Sequence, residues 1–164
     1  MNPPLRKPRH ADAPALAQLF TDPAIRKYLG GPRDKAQAQA GALDLITAGR
    51  QLPAWVIVLP GSQNPVGFVS LDNHHDGEDI EVSFVLTPEA QGLGLGRASV
   101  AAALAEAWQL GLGHVVAETQ SANARSIRLL GALGFSKQRE FIRFNAAQAL
   151  FSIHQHSTNE RPGG

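Results

Sequence analysis

The stretch Gln91-Gly-Leu-Gly-Leu-Gly-Arg97 decides how the rest of this chain is read. Three glycines at alternate positions separate an apolar run, Ile80 to Leu86, from an alanine-rich run that starts at Arg97. Strand, bare turn, helix is the predicted order. Without Cβ atoms such a turn lets successive backbone N–H groups converge, and the helix behind it adds unpaired donors and the positive end of its dipole. A corner of this kind can hold a phosphate or pyrophosphate. No Gly-Lys-Ser/Thr closes it, and glycines at 92, 94 and 96 do not fit Gly-x-Gly-x-x-Gly, so it is neither a Walker loop nor a dinucleotide fingerprint. A purely structural glycine corner is the competing reading, and the flanks are what separate the two.

Upstream of the corner the apolar residues alternate as strands do. Trp55 to Leu59 ends at Pro60-Gly61, Val66 to Leu71 ends in Asp72-Asn73, and Ile80 to Leu86 ends at Thr87-Pro88, which predicts an antiparallel meander. His74-His75-Asp76 in one of its loops offers metal-type side chains, but adjacent residues in an exposed turn rarely converge on one ion. Earlier still the period is helical. Leu5 to His10 reads as a short strand, Asp12 with Pro14 as a helix start followed by Leu16, Leu19 and Phe20, and Asp22-Pro23 as a second start carrying Ile25, Tyr28 and Leu29 up to Gly30-Gly31-Pro32. Asp34 is expected to cap a third helix to about Gly49, with Ala36, Ala40, Leu43, Ile46 and Thr47 on its inner side.

Downstream, Arg97 to Leu110 reads as a helix with Val100, Leu104 and Trp108 on one stripe, stopped by Gly111 and Gly113. His114 to Thr119 follows as a strand. Ser121 or Asn123 caps a helix carrying Ile127, Leu130 and Leu133, with Gly134 just past its end, and Phe135 to Phe144 and Ala147 to His154 close the chain as two strands turned at Asn145. Helices first, then a meander, then alternating strands and helices make a mixed α/β order around a central, largely antiparallel sheet.

Size and charge narrow the function classes. A chain of 164 residues fits one domain, expected over 1–154, with a flexible polar tail over 155–164. The absence of cysteine excludes disulfides, thiolate metal sites and a cysteine nucleophile. A net charge of +1 gives no electrostatic case for nucleic acid, and the basic residues near the front, Arg6, Lys7, Arg9, Arg26, Lys27, Arg33 and Lys35, read as a solvated face. The proline-broken opening carries no signal-peptide pattern, and no apolar run reaches membrane-span length. A cytoplasmic protein without a membrane or nucleic-acid partner is the expectation.

Order and motifs together resemble the GNAT superfamily of acetyl-CoA-dependent N-acetyltransferases over about residues 5–154. The family's Gln/Arg-x-x-Gly-x-Gly/Ala pattern appears as Gln91-Gly-Leu-Gly94-Leu-Gly96, and its second signature as Asn123-Ala-Arg-Ser126 running through to Gly134-Phe135. The opening, Leu5 to Arg9 with Asp12 and Phe20-Thr-Asp-Pro23 through Tyr28-Leu29, is similar to the ribosomal-protein (RimJ/RimL type) branch. The resemblance implies a largely antiparallel sheet of six to seven strands flanked by about four helices, with one strand pair splayed at the coenzyme site. Acetyl-CoA would then enter as co-substrate where 80–86 parts from 114–119. Its pantetheine would pair with the backbone of Phe84, Val85 and Leu86, and its pyrophosphate would rest on the N–H groups of Gly92, Leu93, Gly94, Leu95, Gly96 and Arg97 beside Gln91. Asn123 would contact the pantetheine or fix its loop, with helix capping as the alternative, and Ser126 would reach the thioester sulfur or else bond locally to backbone.

An amine acceptor must lose a proton before it attacks, and Glu118 or Glu81 is the base expected from the resemblance, each with an ion-pair or solvated reading beside it. No metal is expected. One departure stands out: many relatives carry a proton-donating tyrosine seven residues after the asparagine, where this chain has Leu130. That leaves the leaving thiolate to Ser126 or water, and keeps a non-catalytic acyl-CoA-binding module, or an ATP-binding use of the same corner, as alternatives to an enzyme acting on a primary amine. Edge strands would allow a homodimer.

Overall fold

The structure, a computed structural model, describes residues 4–156. Strand β1 (Leu5–Arg6) and a 3-10 turn (His10–Asp12) lead into α1 (Ala13–Thr21), where Pro14 occupies the first turn, the one place in a helix where a missing N–H costs nothing. Helix α2 (Lys35–Ile46) starts at a capping box: Asp34 accepts the Gln37 N–H at 2.8 Å, and the Gln37 side chain accepts the Asp34 N–H at 3.3 Å.

Between these helices the chain departs from expectation. A helix was expected from Asp22 to Leu29, and Asp22 does accept N–H groups from Ala24 and Ile25, yet Pro23 to Gly30 form turns. The cause is Arg26. Its side chain is buried and donates to the carbonyls of Gly31 at 3.0 Å and Leu29 at 2.5 Å, while Gly30 and Gly31, at φ +87° and +83°, curl the backbone around it. The inner face of α2 also differs, being Ala38, Ala42 and Leu45, whereas Ala36, Ala40 and Leu43 face solvent. Gly41 explains the rotation: a Cβ there would stand 3.0 Å from the Phe20 ring, so the smallest stripe of α2 is the one pressed on α1.

The seven-stranded sheet runs β1-β2-β3-β4-β5-β7-β6, with β2 (Ala54–Val58), β3 (Pro65–Asn73), β4 (Ile80–Leu86), β5 (His114–Gln120), β6 (Ser136–Arg143) and β7 (Ala146–His154). Every neighbour pair is antiparallel except β4 with β5. Strand alternation sorts the core into two layers. Val69, Leu71, Val82, Val115, Ala117 and Phe151 pack with α3 (Leu95–Gln109) and α4 (Ala124–Ala132), while Ala54, Val56 and Phe68 pack with α1 and α2. On α3 the buried stripe is Ser99, Val100, Ala103, Leu104 and Ala107, with Trp108 half-buried at its rim. Gly134, at φ +97°, follows α4 as expected, and the β6–β7 hairpin turns on Phe144 and Asn145, both left-handed. Residues 157–164, most of the expected tail, lie outside the described residues. Among the described residues no helix is long and apolar enough to cross a membrane.

Candidate active site at the fork between β4 and β5

Two neighbouring strands of a sheet normally share a ladder, but β4 and β5 meet at the single pair Glu81 with Val116. Beyond it they part. From Val82 to Leu86 β4 is paired with β3 alone, and β5 is paired along its whole length with β7. The far edge of Phe84, Val85 and Leu86 therefore has backbone groups that no strand of the sheet takes up. Gly67 on β3 sets how closely these residues are held: a Cβ at Gly67 would fall 2.1 Å from the Val85 carbonyl oxygen.

The glycine corner lies directly past this open edge. Gly92 and Gly94 both adopt φ +78°, and Gly94 is the N-cap of α3. Gln91 ties the corner to β4 by donating from its side chain to the Leu86 carbonyl at 3.3 Å. Gly92, Leu93, Gly94 and Arg97 are exposed, whereas Leu95 is anchored among Ile57, Val66 and Ala90, and Gly96 sits against Leu129 and Leu86. Firmly packed behind and open in front, the corner presents the first N–H groups of a 15-residue helix, the arrangement that suits an anionic group.

On the sheet face opposite Val82 and Ala117, the fork carries two carboxylates. Glu81 Oε2 accepts the Glu118 backbone N–H at 3.3 Å. Glu118 Oε1 lies 2.8 Å from His74 Nε2, and its Oε2 lies 3.3 Å from Arg143 Nε. His74 is fully buried as a side chain, with Nε2 turned to Glu118 and Nδ1 lying 3.3 Å from the Asp76 N–H and 3.4 Å from Asp76 Oδ2. Asp76 in turn takes Arg139 at 2.6 Å and Arg143 at 3.3 Å, so the turn after β3 is strapped to β6 across the fork. Burial pushes the Glu81 carboxyl up to about 7; His74 opposes this, the negative charge of Glu118 adds to it, the Glu118 N–H opposes it and Asp72 adds to it. A carboxyl raised in this way is able to take a proton from an incoming group. His74, Glu81 and Glu118 bring ligand-type atoms within 4.8 Å of one another, with His74 Nε2 turned to Glu118 and the Arg143 guanidinium beside the set.

An open strand edge, an anion corner and a poised carboxylate at one fork are now joined by sequence likeness: the acetyltransferase (GNAT) domain family matches residues 4–136. The chain belongs to the GNAT acetyltransferase family. Similar solved structures include an acetyltransferase from Agrobacterium tumefaciens (19% identity, 92% of this chain and 90% of that one, TM-score 0.80). A putative acetyltransferase, yncA, from Salmonella typhimurium, solved with its cofactor acetyl-CoA, matches at 23% identity over 98% and 99% of the two chains, TM-score 0.75. A ribosomal-protein-alanine N-acetyltransferase from Brucella melitensis matches at 23% over 92% and 99%, TM-score 0.74.

In this GNAT domain the second signature lies at the start of α4. Asn123 accepts the Ser126 N–H at 3.2 Å, the capping role, and Ser126 is buried one turn into the helix. No hydrogen bond among the described residues joins Ser126 to either glutamate. Leu130 is wholly buried in the core. Of the expected site residues the structure thus brings Glu81 and Glu118 into contact and sets the glycine corner beside Phe84 to Leu86. His74 and Arg143 were not expected there. His74 is 44 residues from Glu118, and only the pairing of Asn73 with Ile80, which folds the turn back over β4, reveals their meeting.

Proposed function

We propose that this GNAT domain transfers the acetyl group of acetyl-CoA to a primary amine by direct attack in a ternary complex. The parting of β4 from β5 at Glu81, with the glycine corner at one end of the gap, carries this reading. Pantetheine lies along Phe84, Val85 and Leu86, and the pyrophosphate takes the N–H groups from Gly92 to Arg97, with Gln91 holding the corner. Asn123 keeps the α4 end of the pocket in place. Glu81 accepts the proton of the ammonium, the amine nitrogen attacks the thioester carbonyl, and collapse of the tetrahedral adduct expels the coenzyme thiolate, which takes up the second proton that the nitrogen gives up in becoming an amide, relayed by Ser126 or water. Glu118, the other expected base, donates its backbone N–H to Glu81 and turns its carboxylate toward β6.

The likeness of the opening to ribosomal-protein acetyltransferases makes a protein N-terminus in the cytoplasm the first acceptor to try, since an α-amine near pKa 8 needs less help than a lysine side chain. Mixing the protein with acetyl-CoA and a panel of amine-initiated peptides, polyamines and aminoglycosides, and following free thiol, tests it. Turnover with at least one acceptor is expected, reduced about a hundredfold or more by Glu81→Gln. No thiol release with any acceptor overturns it. The buried Leu130, where a proton donor is missing, favours a non-catalytic acyl-CoA-binding module as the second reading. Coenzyme binding by calorimetry without turnover is its signature.

A further inference from the structure

The buried groups around the fork include one that the acetyl-transfer reading leaves without a task. His74 reaches from the turn after β3, 2% exposed, and is the residue that links that turn to β5 through Glu118. We propose that His74 is a positioning residue of the acetyl-transfer site, holding the Glu118 side chain between itself and Arg143 so that Glu81, fixed by the Glu118 N–H, is the carboxylate left to take the acceptor's proton. This rests on the reading of Glu81 as base.

The geometry is specific. Glu118 Oε1 takes a hydrogen bond from His74 Nε2 at 2.8 Å, and Oε2 faces the Arg143 guanidinium, 3.3 Å from Nε in an ion pair without a hydrogen bond. Glu81 has one oxygen on the Glu118 N–H at 3.3 Å and its other oxygen without a hydrogen-bond partner among the described residues. The groups facing Glu81 are His74 from the turn, Glu118 from β5 and Asp72 from β3; Arg50 neutralises Asp72 at 2.7 Å, and Arg143 from β6 sits behind Glu118. Two carboxylates in one desolvated fork cannot both stay ionised without donors, and His74 is the nearest donor to the pair. Asp76 then holds the ring, its N–H and its carboxylate lying 3.3 and 3.4 Å from Nδ1, which leaves Nε2 to face Glu118. Removing the Nε2 donor weakens the doubly ionised pair, so the pair takes up its first proton at a higher pH, and the free base becomes scarcer at neutral pH.

Two substitutions separate positioning from packing. The amide of His74→Gln reaches about as far as Nε2 and can still donate to Glu118, whereas that of His74→Asn reaches only as far as Nδ1. Side-chain carboxyl signals of the full-length protein labelled at glutamate are followed by NMR against pH, with Glu81 assigned by its loss in Glu81→Gln. The expected result is a Glu81 titration unchanged within error in His74→Gln and moved to higher pH by about half a unit or more in His74→Asn. The acid limb of kcat/KM for the best acceptor of the panel moves with it, kcat falls about tenfold at neutral pH, and KM for acetyl-CoA stays put. An unmoved Glu81 titration in a folded His74→Asn, or equal shifts in both variants, overturns the proposal. Should Glu81→Gln retain full turnover while the titration moves as described, the choice of base fails and the His74 coupling stands.

Discussion

At Gly67 a methyl group would fall 2.1 Å from a backbone oxygen, that of Val85, and at Gly96 it would fall 2.9 Å from the tip of the Leu129 side chain. The two contacts differ in what can yield. A leucine methyl can rotate away, but the Val85 carbonyl belongs to a sheet strand paired with Phe68. Gly67→Ala is therefore expected to cost about 1–3 kcal/mol in denaturant unfolding and to weaken coenzyme A binding in calorimetry, because the displaced residue lies on the open edge of β4. Gly96→Ala is expected to cost less. Leu130 poses the opposite problem, since restoring a tyrosine there means placing a larger ring and a hydroxyl in a fully buried site. Leu130→Tyr is expected to lower Tm with a loss of about 1–3 kcal/mol.

The segment between α1 and α2 is an element built around one side chain. Arg26 supplies the donors that a helix backbone would otherwise have supplied, so Arg26→Met should loosen residues 23–31 while leaving the sheet intact. The expected readout is faster limited proteolysis within that segment, with a loss of about 1–3 kcal/mol in global stability from the orphaned carbonyls. α1 and α2 tell a related story. Their contact is fixed by Gly41 against Phe20, a complementarity between two helices that neither helix's own periodicity contains.

For the whole molecule, two carboxyls act on stability from opposite sides. Asp12 is held below its ordinary value, chiefly by the bidentate Arg6 contacts at 2.7 and 2.8 Å, against the cost of burial and with help from the Arg9 N–H. A depressed carboxyl stabilises the fold above its unfolded pKa near 4, and that contribution is lost as pH falls through the lower folded value. Glu81 does the reverse: with its folded pKa raised to about 7, the folded state binds the proton more tightly, and stability falls as pH rises from about 4.5 to 7. Glu81→Gln should thus raise stability at pH 8, by on the order of 2 kcal/mol, while costing activity. Asp12→Asn should flatten the loss of stability below pH 4. Urea unfolding at four or five pH values checks both.

The sequence by itself determined the element order, the strand-turn-helix corner at Gln91 to Arg97, the layered mixed sheet and the family, because strand alternation, helix periodicity and glycine in left-handed turns are local consequences of side-chain chemistry. Glu81 and Glu118 were legible as candidates through the family resemblance, by their places in the two strands expected to part at the coenzyme. Only the tertiary structure decided which of them is raised, since that depends first on the burial of Glu81 and then on His74, Glu118 and Asp72 arriving from other segments. It also decided the inner face of α2, the turns around Arg26 and the single register pair at which β4 leaves β5. These are matters of what lies across a gap in space, and a chain read one residue after another carries periodicity but not the distance to a partner 44 residues away.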